Sequence, residues 1–352
     1  MASHQVVVIG ASAGGVESLM QLAASFPADF PLPILVVQHV SPRATSTLPQ
    51  ILQRSGPLAA SHAVDGQRVM PGHIYVAVPD HHLLIEDGHL IVARGPKENR
   101  FRPSANALFR SAAYAYGPGV IAVVLSGMLD DGASGLWTVK RRGGVAVVQD
   151  PADAMFDEMP RNALGQVNVD HVVPLSGLAP LLTRLAQDPA AQVEENHMSD
   201  NEEQRLATEV QVTAGQRLPL SEWLKLGEPS TLTCPECHGA LLKVQEGMLT
   251  RYRCHTGHAF SDNGLLSYVT ENIEESLWNA LRAIDESQML LRHMAEHYAD
   301  LGDPQTAEAF LDRAQEAQDR ASQIRALVVQ RSAQGRTPDH AQNLTTEDVH
   351  SG

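Results

Sequence analysis

The sequence predicts a doubly wound, mainly parallel α/β domain, followed by a small β-hairpin module and an α-helical hairpin. Three observations predict this class. Short, β-branched, non-alternating apolar runs alternate with helical stretches through the first half, the acidic charge gathers in the second half, and the three cysteines fall in one short segment. Non-alternating strands are buried on both faces, as parallel strands between two helical layers are.

The strand-like runs are Val6-Val7-Val8-Ile9, Ile34-Leu35-Val36-Val37 and Ile74-Tyr75-Val76-Ala77-Val78, then Ile121-Ala122-Val123-Val124-Leu125 and Val145-Ala146-Val147-Val148. Helical stretches are expected over 15–24, 45–55, 105–116 and 135–142. The segment 75–93 differs, because Leu83-Leu84-Ile85 and Leu90-Ile91-Val92 flank Glu86-Asp87-Gly88. That pattern reads as a β-hairpin inserted into the sheet or lying at its edge.

The chain has 352 residues and 43% hydrophobic residues, enough for about two domains. No apolar run reaches the roughly 18 residues of a membrane span, and no basic-then-apolar leader precedes the first strand, so a cytoplasmic chain without membrane insertion is expected. Its 26 basic and 41 acidic side chains leave a net charge of −15, which argues against binding nucleic acid through phosphate neutralisation. Residues 1–190 hold 13 basic and 15 acidic groups; the remainder hold 13 and 26. The expected organisation is a domain over 1–186, an acidic flexible linker over 187–215, a cysteine-bearing module over 216–268, a helical hairpin over 269–332 and a disordered tail over 333–352.

Chemistry in a doubly wound sheet collects at the carboxyl ends of the strands. Ser12 follows the first strand in Gly10-Ala11-Ser12-Ala13-Gly14-Gly15, a G-x-S-x-G turn that can present a hydroxyl while the next amides face a developing oxyanion. A glycine-rich phosphate turn is the competing reading. A dinucleotide fingerprint is excluded, because the turn lacks G-x-G-x-x-G and the second strand ends in Gln38-His39 rather than an acidic residue. His39, at the end of that strand, can act as base toward Ser12. Asp131, in Leu129-Asp130-Asp131-Gly132, can orient the imidazole, and spacing alone does not choose it over Asp130. Arg100 and Arg102 can steer an acidic segment or hold a carboxylate, or can be an ordinary pair near a helix start. His62, His73, His81, His82 and His89 show no metal spacing and are expected at the surface or in loops.

Together Gly10–Gly15, Gln38-His39, Asn99-Arg100-Phe101-Arg102-Pro103-Ser104, Ser126-Gly127-Met128 with Asp131-Gly132, and Met159-Pro160-Arg161 resemble, in order, the catalytic domain of CheB, the chemoreceptor protein-glutamate methylesterase of bacterial chemotaxis. The resemblance covers about residues 4–185. It implies a Rossmann-like methylesterase fold and a cofactor-free serine hydrolase that cleaves glutamate γ-methyl esters on chemoreceptors or related sensory proteins, releasing methanol. Some members of that family also deamidate glutamines. It further implies Ser12, His39 and Asp131 as nucleophile, base and orienting acid, since Asp131 directly precedes the glycine. The Met128 amide resembles the family's oxyanion donor, beside the Ala13 amide, and Arg100, Arg102 and Met159 are expected at the substrate. Two departures are Ala13, where the family commonly has threonine, and the lack of a receiver domain ahead of residue 4, which implies a standalone form.

In the second half, Cys234-Pro235-Glu236-Cys237 and Cys254-His255-Thr256-Gly257-His258 give C-x2-C followed by C-x3-H. Two ligands from each of two turns suit a tetrahedral structural Zn²⁺ in a zinc ribbon with strands over 241–244 and 249–253. His255 and His238 are alternative fourth ligands to His258. Beyond the ribbon, Leu277, Ile284, Leu291 and Tyr298 recur every seven residues, joined by Ile273, Leu281, Met294 and Leu301. After Gly302-Asp303-Pro304, with Asp303 as N-cap and Pro304 at the first helical position, Phe310, Ala314, Ala317, Ala321, Ile324 and Val328 continue a stripe. An antiparallel helical pair is expected, either packed on its own chain or self-associating into a four-helix bundle. Two other functions stay open: a non-catalytic signalling scaffold working through this C-terminal module, and an esterase for a different ester.

Overall fold

The computed structural model describes residues 5–43, 45–187 and 198–334. The chain divides into two units, Met1–Leu266 and Ser267–Gly352. Among the described residues no helix is long and apolar enough to cross a membrane.

The first unit is built on seven parallel strands in the order β3-β4-β2-β1-β7-β8-β9. They are β1 (Val6–Ala11), β2 (Ile34–Gln38), β3 (Ala59–His62), β4 (His73–Val76), β7 (Val120–Val124), β8 (Val145–Gln149) and β9 (His171–Val173). The apolar runs are buried on both faces because successive side chains enter opposite cores. Val7 and Ile9 join one core with helices α1 (Gly15–Ser25), α2 (Leu48–Ser55) and α6 (Leu175–Gln187). Val6 and Val8 join the other with α3 (Ala105–Tyr116), α4 (Ala133–Arg141) and α5 (Glu158–Gln166). The chain moves outward from β1 to β2 on one side and to β7 on the other. The crevice at the carboxyl ends of β1 and β7 is therefore the topological switch point, where such sheets bind their ligands.

The outer strands β3 and β9 were not legible in the sequence, being short and only partly apolar. The hairpin β5 (His82–Glu86) and β6 (His89–Ala93) forms at the expected place, but as a separate two-stranded sheet rather than as part of the main one. It covers α3, with Leu83, Ile85 and Leu90 in the second core. His82, expected at the surface, is fully buried and its Nε2 is 2.8 Å from the Pro96 carbonyl.

The acidic segment read as a linker is in part a helix. Residues 188–197 lie outside the described residues, whereas α7 (Asp200–Thr213) is regular. Ser199 and Glu202 make a reciprocal capping box, and the acidic run Asp200, Glu202 and Glu203 occupies the first turn, where negative charge meets the positive end of the helix dipole. The feature that suggested disorder is the helix start. After α8 (Leu220–Trp223), the ribbon follows as an antiparallel sheet of β10 (Glu228–Thr233), β11 (Ala240–Glu246), β12 (Leu249–Cys254) and β13 (Ala259–Ser261).

This module belongs to the first unit. Glu98 before α3, Arg110 of α3, Glu209 of α7, Glu246 of β11, and Arg251 and Arg253 of β12 are all buried and meet in one cluster. Arg110 pairs with Glu98, Arg251 with Glu246, and Arg253 with Glu209; Arg253 also donates to Glu98 over 3.0 Å. Burial alone would raise the Glu98 carboxyl, but the Arg110, Arg253 and Arg251 charges hold it well below the usual range. Three carboxylates balance three guanidiniums, so the cluster needs no other counter-charge.

In the second unit, α9 (Asp262–Asp300), which begins within the first, pairs with α10 (Pro304–Gln334). Leu281 and Ala321 are buried between them with Leu277, Ile284 and Ile324 against them, and the Tyr298 and Phe310 rings stack at 5.5 Å. Asp303 caps α10, accepting from the Thr306 amide over 3.1 Å, with Pro304 at the first helical position as the sequence predicts. The tail from residue 335 lies outside the described residues.

Candidate active site

At the switch point the turn after β1 and the turn after β7 are laced together. The Ser12 amide donates to the Ser126 carbonyl (3.0 Å), and the Ser126 hydroxyl donates to the Ala13 carbonyl (2.8 Å). Gly14 has φ 70°, a left-handed conformation that glycine takes without a Cβ penalty. Gly127 answers a close approach, since a Cβ there would stand 2.8 Å from the Ser12 Cβ and overlap the Met159 sulfur. The Gln38 side chain, at the end of β2, donates to the Ser12 carbonyl over 2.7 Å and steadies the turn from its other side.

His39, next along from Gln38, places its Nδ1 3.1 Å from the Ser12 Oγ and its Nε2 2.7 Å from the Asp131 Oδ2. An ionised carboxylate only accepts, so Nε2 carries the ring proton and Nδ1 is the acceptor facing the serine hydroxyl. In chymotrypsin-type triads the two nitrogens have the opposite assignment, but the relay of serine, imidazole and carboxylate is the same.

Asp131 is buried yet ionised. Burial alone would raise its carboxyl; the hydrogen bonds from His39, the Ser104 hydroxyl (2.8 Å) and the Ala105 amide (2.6 Å) lower it overall. The Asn106 amide adds a third donor at 3.2 Å. These amides open α3, so the carboxylate sits at a helix N-terminus, where negative charge is favoured. Asp130 faces away from His39. Its Oδ1 accepts from Ser261 (2.9 Å) and Asn99 (3.4 Å), and burial pushes its carboxyl up to about 6 against the Ser261 hydrogen bond. Geometry thus separates the two aspartates that spacing left open.

The Ala13 and Met128 amides donate to no protein acceptor among the described residues; Ala13 follows Ser12 in the chain, and Met128 follows Gly127, where a Cβ would stand 2.8 Å from the Ser12 Cβ. Met128, Met155 and Phe156 are 48%, 65% and 40% exposed and give the mouth an apolar rim. Two residues expected at the substrate are turned inward instead. Arg102 donates through Nε (3.0 Å) and Nη2 (2.6 Å) to Asp80 and through Nη1 to the Gly95 carbonyl (2.6 Å). Met159 is buried beneath Gly127. Arg100 is half-buried on the loop before α3.

Residue-by-residue reading missed Phe101, whose ring stacks on His39 at 3.9 Å with the planes 8° apart. It also missed Glu158 and Asn162 of α5, which fix the turn after β7 by accepting from the Leu129 amide (2.8 Å) and donating to the Leu129 carbonyl (2.7 Å). Their only signal was membership of the Asn99–Ser104 and Met159–Arg161 blocks or adjacency to them.

Away from this crevice, ligand atoms of Cys234, Cys237, Cys254 and His258 lie within 4.8 Å of one another. Three of the separations are 3.6 Å: Cys237 to Cys254, and the His258 Nδ1 to Cys234 and to Cys254. A tetrahedral metal with bonds of about 2.3 Å to sulfur sets its ligands about 3.8 Å apart, so the donor set and its spacing fit such an ion. His255, an alternative ligand in the sequence, turns its ring edge toward Trp223 instead.

A hydrogen-bonded serine, imidazole and carboxylate on the crevice of a parallel sheet is the arrangement of hydrolases that work through an activated serine. Comparison with known proteins narrows the class: the model of the CheB methylesterase family matches residues 7–182, and the chain belongs to that family. Over 187 residues it is 37% identical to a Leptospira interrogans protein provisionally named protein-glutamate methylesterase/protein-glutamine glutaminase, covering 53% of this chain and 97% of that one. It is 41% identical over 179 residues to protein-glutamate methylesterase/protein-glutamine glutaminase 4 of Myxococcus xanthus, spanning 51% of each. The crystal structure of the Thermotoga maritima CheB methylesterase catalytic domain superposes with a TM-score of 0.50 at 34% identity, covering 51% of this chain and 98% of that one.

Proposed function

We propose that this chain is a serine esterase that hydrolyses glutamate γ-methyl esters on a methylated chemoreceptor or a related sensory signalling protein in the cytoplasm. The observation that carries the reading is the hydrogen-bonded series Ser12–His39–Asp131 at the open end of the sheet. The Ser12 Oγ attacks the ester carbonyl while the His39 Nδ1 takes its proton, and Asp131 stabilises the imidazolium. The oxyanion of the tetrahedral intermediate accepts from the Ala13 and Met128 amides. Collapse expels methanol, protonated by His39, and leaves a glutamyl ester on Ser12. Water, deprotonated by His39, then releases the carboxylate and restores the serine. A glutamine side chain can follow the same route with ammonia leaving, which would be the deamidation carried in the relatives' names.

The apolar rim of Met128, Met155 and Phe156 suits the surface of a receptor helix. Arg100, on the loop before α3, is the position assigned to steering its acidic segment. Cys234, Cys237, Cys254 and His258 would hold a structural Zn²⁺ in a closed shell that leaves no position for substrate, with catalysis needing no cofactor. The α9–α10 hairpin would self-associate.

Methanol release from a methylated receptor tests the reading. Ser12→Ala is expected to lower turnover by about 10⁶-fold with the thermal midpoint unchanged; undiminished release would sink the assignment. Metal analysis should find about one zinc per chain, lost on replacing Cys234 or Cys254.

A further inference from the structure

We propose that the ribbon's last strand is a built part of the catalytic site, with Ser261 and Asn99 as positioning residues for His39. The inference deepens the esterase reading above and rests on it. Its basis is the loop 97–101, which carries Phe101 onto the imidazole and is held by β13 rather than by the α/β domain alone.

Three hydrogen bonds join the strand to the loop, and a fourth joins it to the turn after β7. The Ala259 amide donates to the Lys97 carbonyl (3.2 Å), and the Asn99 amide donates to the Ala259 carbonyl (2.8 Å). The Ser261 amide donates to the Asn99 Oδ1 (2.8 Å), and the Ser261 hydroxyl donates to the Asp130 Oδ1 (2.9 Å). The last of these reaches the residue directly before Asp131. Within the loop, Glu98 and Phe101 exchange backbone hydrogen bonds at 3.2 and 2.8 Å, so whatever fixes Glu98 and Asn99 also fixes Phe101.

Asn99 and Arg100 have φ of 47° and 74°, a region that costs energy for residues with a Cβ and persists only where the surroundings enforce it. The surroundings here include β13, with the Asn99 side chain buried against it. Without that strand the loop has a reason to relax, and His39 then loses the stacked ring on its face. Hydrogen bonds at its two nitrogens leave the imidazole free to tilt about the line joining them, and the parallel Phe101 ring removes that freedom. The ribbon is thereby a structural subunit of the active site, although none of its side chains lies in the relay.

The test uses the full chain and a covalent probe that needs no ester substrate. Phenylmethanesulfonyl fluoride sulfonylates an activated serine, and intact mass follows its rate at Ser12. Ser261→Ala is expected to slow labelling and lower kcat about 10- to 100-fold with KM near that of the wild type, as a misplaced catalytic group does. Ser261→Thr, which keeps the hydroxyl, should restore both. Asn99→Gly approaches the same contact from the other side; it tolerates the positive φ, removes the side-chain acceptor and should slow labelling likewise. Metal content and thermal midpoint measured on the same samples separate this effect from loss of the ribbon. Wild-type labelling rates in both folded variants overturn the proposal. A wild-type chain that does not label at Ser12 overturns the triad reading and this inference with it. A chain that labels there but releases no methanol overturns only the substrate assignment, and the labelling ratio still decides the positioning.

Discussion

Two buried polar clusters lie in the first unit, made from similar side chains and serving opposite ends. In the six-residue charge cluster, Glu98, Glu209 and Glu246 face Arg110, Arg251 and Arg253, charge for charge, and all are buried. In the relay, one carboxylate faces one imidazole, and the far end is a half-buried serine hydroxyl. The first cluster is electrically complete and has nothing to offer a substrate. The second is completed only when a reacting group arrives beside Ser12. Burial and ionic partners are common to both; an open end and an unspent donor set distinguish the site that can do chemistry. The loop 98–101 joins the two, with the Glu98 carboxylate in one and the Phe101 ring on the other.

The contrast can be broken by exchanging what each cluster loses. Asp131→Asn keeps the shape of the relay but removes the charge that fixes the tautomer of His39, and turnover should fall by about 10⁴-fold with little change in the urea midpoint. A variant with wild-type kcat would place the orienting group elsewhere.

Glu209→Ala strikes the other cluster and should cost about 3–5 kcal/mol of unfolding free energy by leaving buried guanidinium charge uncompensated. The Arg251, Arg253 and Arg110 charges overcome burial and hold the Glu209 carboxyl at about 2, below its ordinary 4.5. A lowered folded-state value means that its stabilisation is fully present above about pH 4.5 and is lost as the pH falls toward 2. Urea midpoints of the wild type should therefore drop on acidification through that window, and Glu209→Ala should flatten the slope. An equally steep slope in the variant would assign the acid sensitivity to other groups.

Asp130→Asn should have the smallest effect, lowering kcat by less than about 10-fold, because an amide oxygen still accepts from Ser261. A loss as large as that of Asp131→Asn would erase the distinction between the two aspartates.

The legible part of the molecule is that in which local pattern and function coincide. β1, β2, β7 and β8 follow from continuous β-branched runs, and Ser12 and His39 stand where two of those runs stop. The cluster of Cys234, Cys237, Cys254 and His258 announces itself because two tight turns each supply two of its members in fixed spacing. Legibility failed where a local signal had two readings. The run Asp200–Glu203 is acidic enough for a linker and is also a helix start, and the Ser199–Glu202 capping box decides between them. Arg102 failed differently: a guanidinium before a helix can face a substrate or Asp80, and Asp80 lies 22 residues away in the chain.

By itself the sequence determined the parallel α/β class, the serine and histidine at its strand ends, three cysteines and a histidine in metal-ligand spacing, and the capped helical hairpin. Each is written in residues close together or in a repeating pattern, and short-range sterics and periodic burial suffice to read them. Only the tertiary structure decided which aspartate meets His39, that Phe101 covers the imidazole, and that the ribbon's strand β13 supports the loop beside the active site. Those contacts join segments up to 162 residues apart, and their energies depend on burial and charge that arise only once the chain has closed on itself.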